Sequence, residues 1–150
     1  MRVVIQRVTS ASVTIDGQVK SSIGLGLLVL LGIEVDDTVE DIEWMCGKIS
    51  KLRIFSDENG NMNLSIADVN GEFLVISQFT LHDSTKKGNR PSFLSAARPE
   101  QAIPMYEKFL SQLEKESQRK VYSGEFGADM KVALLNDGPV TIWMDSKSKF

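Results

Sequence analysis

His82, Asp83 and Ser84 stand side by side, and together they name the residue types of a hydrolytic triad. A triad needs side chains that converge in space, and three consecutive residues cannot fold back on one another to do so. The run is therefore read as a coincidence of composition. His82 is the chain's one histidine and Cys46 its one cysteine, so no multi-histidine or multi-cysteine metal site is available, and no metal or cofactor is expected. "GLG" at Gly24 to Gly26 lacks the lysine and spacing of a phosphate-binding loop. The acids are scattered and suggest no carboxylate pair.

Two polar islands remain. In "FLVISQFTLH", Ser77, Gln78 and Thr80 interrupt an apolar strand-like run. Strand alternation would put Ser77 and Phe79 on one face, with Gln78 and Thr80 on the other. Polar groups at the end of a buried strand must be partnered or they cost stability. Neighbouring backbone could satisfy them, and that plainer reading stays open. The second island is "LLNDGPVTIWMD", where Asn136, Asp137 and Thr141 surround Gly138 and Pro139. Proline cannot donate to a ladder and is tolerated at edges, strand starts and bulges. Here it either punctuates two strands or holds up a rigid piece of backbone for chemistry.

A third feature is charge. Between His82 and Arg98 lie Lys86, Lys87 and Arg90 against a single acid, Asp83. The net charge of -3 argues against a broad nucleic-acid surface. A local basic loop can still hold a few phosphates, although most such clusters are simply solvated.

The elements that must position these residues follow from patterning. "RVVIQRV" and "SASVTID" alternate apolar and polar residues, Asp16-Gly17 is a hairpin signal, and "QVKSSI" returns from it. "GLLVLLGI" is apolar on both faces, which predicts a central covered strand. Thr38 can cap a helix with Asp41 in its first turn and a stripe of Val39, Ile42, Cys46 and Ile49. Cys46 on that stripe reads as core. "SDENGNMN" is a polar turn, and "GEFLVISQFTL" is the next strand. A second helix follows "ARPEQ", burying Ala102, Met105, Tyr106, Phe109, Leu110 and Leu113, with Pro104 near its first turn. "VYSGEF", "DMKVALLN" and "VTIWMD" complete the strands. The expected class is α+β: a largely antiparallel sheet or partly closed barrel with two helices against it.

At 150 residues, residues 1–150 are read as one domain, with 42% hydrophobic and 25% charged residues as in ordinary globular chains. The N-terminal run is not a targeting helix, and "IGLGLLVLLGI" is too short and glycine-rich to span a bilayer. A cytoplasmic location is expected.

The two islands also match something specific. "MRVVIQRVTSASVTIDG", "GLLVLLGIE", "LRIFSDENGNMNLS", "SQFTL", "TKKGNRPSF", "FGADMKV" and "NDGPVT" follow one another as they do in the D-aminoacyl-tRNA deacylases. The chain resembles that family along essentially its whole length, and Ser-Gln-Phe-Thr and Gly-Pro-Val-Thr are the family's two hallmark motifs. One stretch departs from it. After "SQFTL" the family commonly continues with a tyrosine, a small residue and an aspartate, where this chain has His82, Asp83 and Ser84.

The resemblance implies hydrolysis of the ester joining a D-amino acid, or mischarged glycine, to the terminal adenosine of tRNA. It implies a homodimer in which Gly138 and Pro139, joined by a cis peptide, reach into the other subunit's pocket and hold the substrate. Ser77, Gln78 and Phe79 would shape the oxyanion side of that pocket, and the tRNA 2′-hydroxyl would assist attack by water. Thr80 is the rival, a hydroxyl nucleophile that would make the chain a general acyl-ester hydrolase. Phe126 and Met130 would line an adenosine pocket. Arg7 would brace the cross-subunit turn. Lys86, Lys87 and Arg90 would contact tRNA phosphates. No DNA and no membrane partner is implied. A non-catalytic RNA-binding or scaffold dimer is a further alternative.

Overall fold

The computed structural model describes residues 1–149. Its first strand, β1 (Arg2–Ile15), turns through Asp16-Gly17 into β2 (Gln18–Ile23). Both turn residues have positive φ, 50° and 77°, the conformation that a two-residue hairpin requires. β3 (Gly26–Gly32) lies antiparallel beside the first half of β1, and β2 beside its second half. β8 (Lys131–Asp145) runs antiparallel along the other side of β1.

The sheet is mixed. β6 (Glu72–Ser77) pairs with β3 in parallel, and β7 (Val121–Ser123) pairs with β6 in parallel. Each parallel pair is joined by a stretch that carries a helix: α1 (Val39–Ser50) before β6 and α2 (Pro99–Ser117) before β7. That is the crossover parallel strands need. The small hairpin of β4 (Phe55–Ser56) and β5 (Met62–Leu64) stands apart. The antiparallel pairs still predominate, and the α+β class stands, with two helices on a barrel-like sheet.

β3 is covered on both faces, as its composition predicts. Leu27, Val29 and Leu31 join Val3, Ile5 and the buried faces of both helices. Leu28 lies in a second cluster with Val8, Ala11, Val13, Leu74 and Ile76. β1 serves both clusters because its register breaks between Gln6 and Val8 and again between Val8 and Ser10. These bulges bend the strand and turn it from one core to the other.

Four sequence expectations are revised in detail. Val39 is 42% exposed, so the buried face of α1 is Ile42, Met45, Cys46 and Ile49. Pro104 lies inside α2, beyond the first turn, with Pro99 taking the favourable start. β6 stops at Ser77, and Phe79–His82 winds into a 3₁₀ turn. Strand alternation therefore does not govern Gln78, Phe79 and Thr80. "VALLN" and "VTIWM" are not two strands but halves of β8.

Candidate functional site

β1 explains the proline. Gln6 pairs with Thr141 and Val8 with Asn136, so Arg7 alone spans residues 137–140 of the longer strand. Asp137, Gly138, Pro139 and Val140 loop out as a wide bulge, and the Gly138-Pro139 peptide is cis. Arg7 holds that bulge from beneath. Its Nε donates to the Asp137 carbonyl at 3.0 Å and its Nη1 to the Ile54 carbonyl at 2.7 Å, and the residue is buried. The Asp137 carboxylate lies 3.5 Å from Nε. Gly138 has φ of 127°, and a Cβ there would come within 2.9 Å of Arg7 Nη2. Only glycine meets both conditions.

The end of β6 is fixed differently, by packing on the β3 backbone. The Gln78 N–H donates to the Leu31 carbonyl at 2.7 Å, and Leu81 N–H closes the 3₁₀ turn onto the Gln78 carbonyl. His82, 2% exposed, bonds through Nε2 to the Gly32 carbonyl at 3.0 Å. Burial pushes its pKa below the usual histidine value. The single histidine is thus a core anchor for this turn, and the triad-like run has no triad geometry. Gly32 lets the turn approach, since a Cβ there would meet Leu81 Cβ at 2.9 Å and the Gln78 carbonyl at 3.0 Å.

Beside that turn opens a cleft of about 250 Å³. One wall is Ile76, Ser77, Gln78 and Phe79; the other is the loop from Phe126 to Met130, with Val132 behind. The structure thereby brings together Ser77, Gln78, Phe79, Phe126 and Met130, which lie far apart in sequence. Phe126 is set by its neighbour Tyr106, with ring centroids 5.9 Å apart. Tyr106 is itself anchored by its hydroxyl, which donates to the Val75 carbonyl at 2.9 Å, and burial pushes its pKa up to about 12. Gly124 leaves room for Met130, whose sulfur would sit 2.5 Å from a Cβ at that position.

Thr80 is not among the cleft-lining residues; its hydroxyl accepts a hydrogen bond from the Gln78 side-chain amide at 2.5 Å. Gly138 and Pro139 do not line this chain's cleft either. Lys86, Lys87 and Arg90 are exposed on a loop closed at its base by paired Ser84 and Ser92. Cys46 is fully buried, and burial pushes its thiol pKa up, as a core role predicts. Asp129 lines the cleft and was missed by the sequence reading. Its place between Phe126 and Met130 was the available signal. Among the described residues, no group of three or more metal-ligating side chains converges, and no helix is long and apolar enough to cross a membrane.

The protein is thus of the α+β class, with a cleft walled by backbone-rich turns and aromatic rings where its parallel strands stop, the place where sheets with parallel strands commonly bind ligands. Comparison with known proteins then narrows the class. The profile of the family described as D-Tyr-tRNA(Tyr) deacylase matches residues 4–145, and the chain belongs to that family. It is 64% identical to a D-aminoacyl-tRNA deacylase of Flavobacterium johnsoniae, over 99% of each chain. It is 62% identical to a D-aminoacyl-tRNA deacylase of Bacteroides thetaiotaomicron, again over 99% of each. A solved structure named c-Myc DNA unwinding element binding protein superposes with a TM-score of 0.90 at 47% identity, covering 97% of this chain and 98% of that one.

Proposed function

We propose that this chain, acting as one domain in the cytoplasm, hydrolyses the ester of D-aminoacyl-tRNA to free D-amino acid and tRNA. The observation that carries the reading is the single cleft joining Ser77, Gln78 and Phe79 to Phe126 and Met130 in a member of this family. The terminal adenosine stacks on Phe126 beside Met130. The ester carbonyl then faces the start of the 3₁₀ turn. The Gln78 N–H is already committed to Leu31, whereas the Phe79 and Thr80 N–H groups open the turn and have no acceptor within it. Of the two, the Phe79 N–H belongs to a residue that lines the cleft, and it is the donor for the oxyanion.

Water attacks the carbonyl carbon with assistance from the vicinal 2′-hydroxyl. The bond from carbonyl carbon to ribose oxygen breaks, that oxygen takes a proton, and the released acid ionises into solvent. Such an ester is already activated, so positioning and oxyanion stabilisation suffice. This is favoured over a Thr80 nucleophile by a specific observation. The Thr80 hydroxyl is engaged by Gln78, and the nearby imidazole of His82 is buried against Gly32. Among the described residues, no base is placed to activate it.

The site is completed by a second copy of the chain. The bulge at Gly138 and Pro139 is exposed on a strand that also exposes Leu134 and Leu135 at 41% and 62%. An exposed edge strand of this kind favours pairing with another chain. The bulge then enters the other subunit's cleft, where its carbonyls accept hydrogen bonds from the α-ammonium. A D side chain points out, an L side chain collides with the bulge, and glycine has nothing to exclude, so glycyl-tRNA is also cleaved. Lys86, Lys87 and Arg90 face the tRNA phosphates.

The test is release of amino acid from matched D- and L-aminoacyl-tRNA by wild type and by Thr80→Ala. Cleavage of the D ester alone, surviving in Thr80→Ala, is expected. Loss of all activity in a folded Thr80→Ala would revive the nucleophile, and cleavage of neither ester by wild type would sink the deacylase reading.

A further inference from the structure

A second cavity, about 350 Å³, lies against the first and shares two of its lining residues. Phe79 and Phe126 line both; Phe93, Ala96, Ala97, Arg98 and Pro99 line only the second. Phe79 is 54% exposed and meets Phe93 edge to face, with ring centroids 5.2 Å apart. The floor is small alanine side chains, and the rim carries Arg98, exposed and without a hydrogen bond or ion pair through its guanidinium among the described residues. Aromatic rings over an open, shallow volume with one available cation at the rim suit a nucleobase and its phosphate, because base stacking on aromatic side chains tolerates any sequence. The basic loop leads into this cavity, since Ser92, which closes that loop, immediately precedes Phe93.

We infer that this second cavity holds the nucleotide that precedes the terminal adenosine, its base against Phe93 and Phe79 and its linking phosphate on Arg98. The inference rests on the deacylase reading of the first cleft. If the terminal adenosine occupies that cleft, the RNA must leave it, and the wall it leaves over is the shared pair Phe79 and Phe126. The adjoining cavity can accept one nucleotide, and the cation stands where the chain carries its next negative charge. Its occupant is a cytidine in every tRNA, so the subsite reads the common end of the substrate and adds binding without selecting among tRNAs.

The test uses two small esters, 3′-D-tyrosyl adenosine and the 3′-D-tyrosyl ester of the dinucleotide cytidylyl-adenosine. Wild type is compared with Arg98→Gln and with Phe93→Leu, the latter keeping apolar bulk behind Phe79. Wild type should cleave the dinucleotide ester with a kcat/KM about tenfold higher than the adenosine ester, and both variants should erase most of that gain. Their activity on the adenosine ester should stay within about twofold of wild type. Equal cleavage of the two esters by wild type would overturn the inference, as would variants that retain the gain or that lose both substrates alike. If wild type cleaves D-tyrosyl-tRNA but shows no dinucleotide gain, only the subsite fails. If it cleaves none of the three, the deacylase reading falls and takes the subsite with it.

Discussion

The turn at Ser77 to His82 and the bulge at Asp137 to Val140 are both short, irregular pieces of backbone, yet they are held in opposite ways. The first is pressed into the core: Leu31 and Gly32 of β3 supply acceptors, and a buried imidazole fastens the far end. The second stands on an exposed edge strand and is fastened by one buried arginine. A turn fixed by many neighbours belongs to the chain that folds it. A bulge fixed only at its base, with its outer surface exposed, leaves that surface open to solvent. On the proposed dimer reading, the first would be the floor of the site, made by folding, and the second a gate supplied by the other copy of the chain.

The largest expected effect comes from removing the fastener of the gate. Arg7→Ala leaves the Asp137 and Ile54 carbonyls without their charged donor, and should cost on the order of 2–3 kcal/mol in urea unfolding. D-aminoacyl-tRNA cleavage should fall at least a hundredfold in the fraction that remains folded. Gly138→Ala sharpens the contrast, because a Cβ at φ of 127° collides with Arg7. It should lose cleavage by a similar factor at a smaller cost in stability, roughly 1–2 kcal/mol by the same unfolding curves.

Next comes the floor. Gly32→Ala drives a Cβ into Leu81 and the Gln78 carbonyl, and should destabilise the fold by about 1–3 kcal/mol. Because the turn moves with it, kcat should fall as well. If Gly32→Ala left both stability and kcat unchanged, the turn would not depend on its seat against β3.

Acid should act on the floor before the rest of the fold. His82 has a folded pKa lowered by burial, so the unfolded chain binds the extra proton more readily. Its stabilising contribution is fully present above the unfolded value of about 6.5 and is lost as pH falls below it. Asp41 acts at lower pH. Burial would raise its pKa, but hydrogen bonds from Ser146, the Thr38 backbone and Lys147 outweigh that and hold it well below the usual carboxylate range. Its contribution persists above the unfolded carboxylate pKa and is lost as pH falls through the depressed folded value. Urea midpoints should therefore fall in wild type as pH is lowered from 7.5 to 5, and that fall should flatten in His82→Gln.

The smallest effect belongs to the periphery. Replacing Lys86, Lys87 and Arg90 by alanine should leave unfolding unchanged and weaken the dependence of kcat/KM on salt, read as a shallower log–log slope.

How much of this was legible in the sequence depends on how local the cause is. The Asp16-Gly17 turn and the fully covered β3 followed from composition alone, because each is decided within a few residues. The cleft residues were found through motif resemblance, but strand alternation misplaced Gln78, Phe79 and Thr80. β6 ends at Ser77 because the turn and His82 are seated on the backbone of β3, which is distant in sequence. The bulge was suspected from its proline. That β8 continues through it could not be read locally, because only the register against β1 shows four residues spanned by Arg7. The parallel pairing of β3, β6 and β7 was hidden for the same reason. Asp129 was overlooked because an exposed acid beside a lysine looks like ordinary surface.

The central claim, that floor and gate of one site come from two chains, is tested most directly by a hybrid dimer. One chain carries Ala128→Trp, which fills the cleft, and the other carries Gly138→Val, which spoils the bulge. The two are co-expressed with different tags and purified through both. Each variant alone should be folded and inactive on D-aminoacyl-tRNA. The hybrid should recover about half of wild-type activity per dimer, since a two-fold dimer then contains one intact cleft facing one intact bulge. A hybrid as inactive as its parents, or a fully active monomer, would contradict the account.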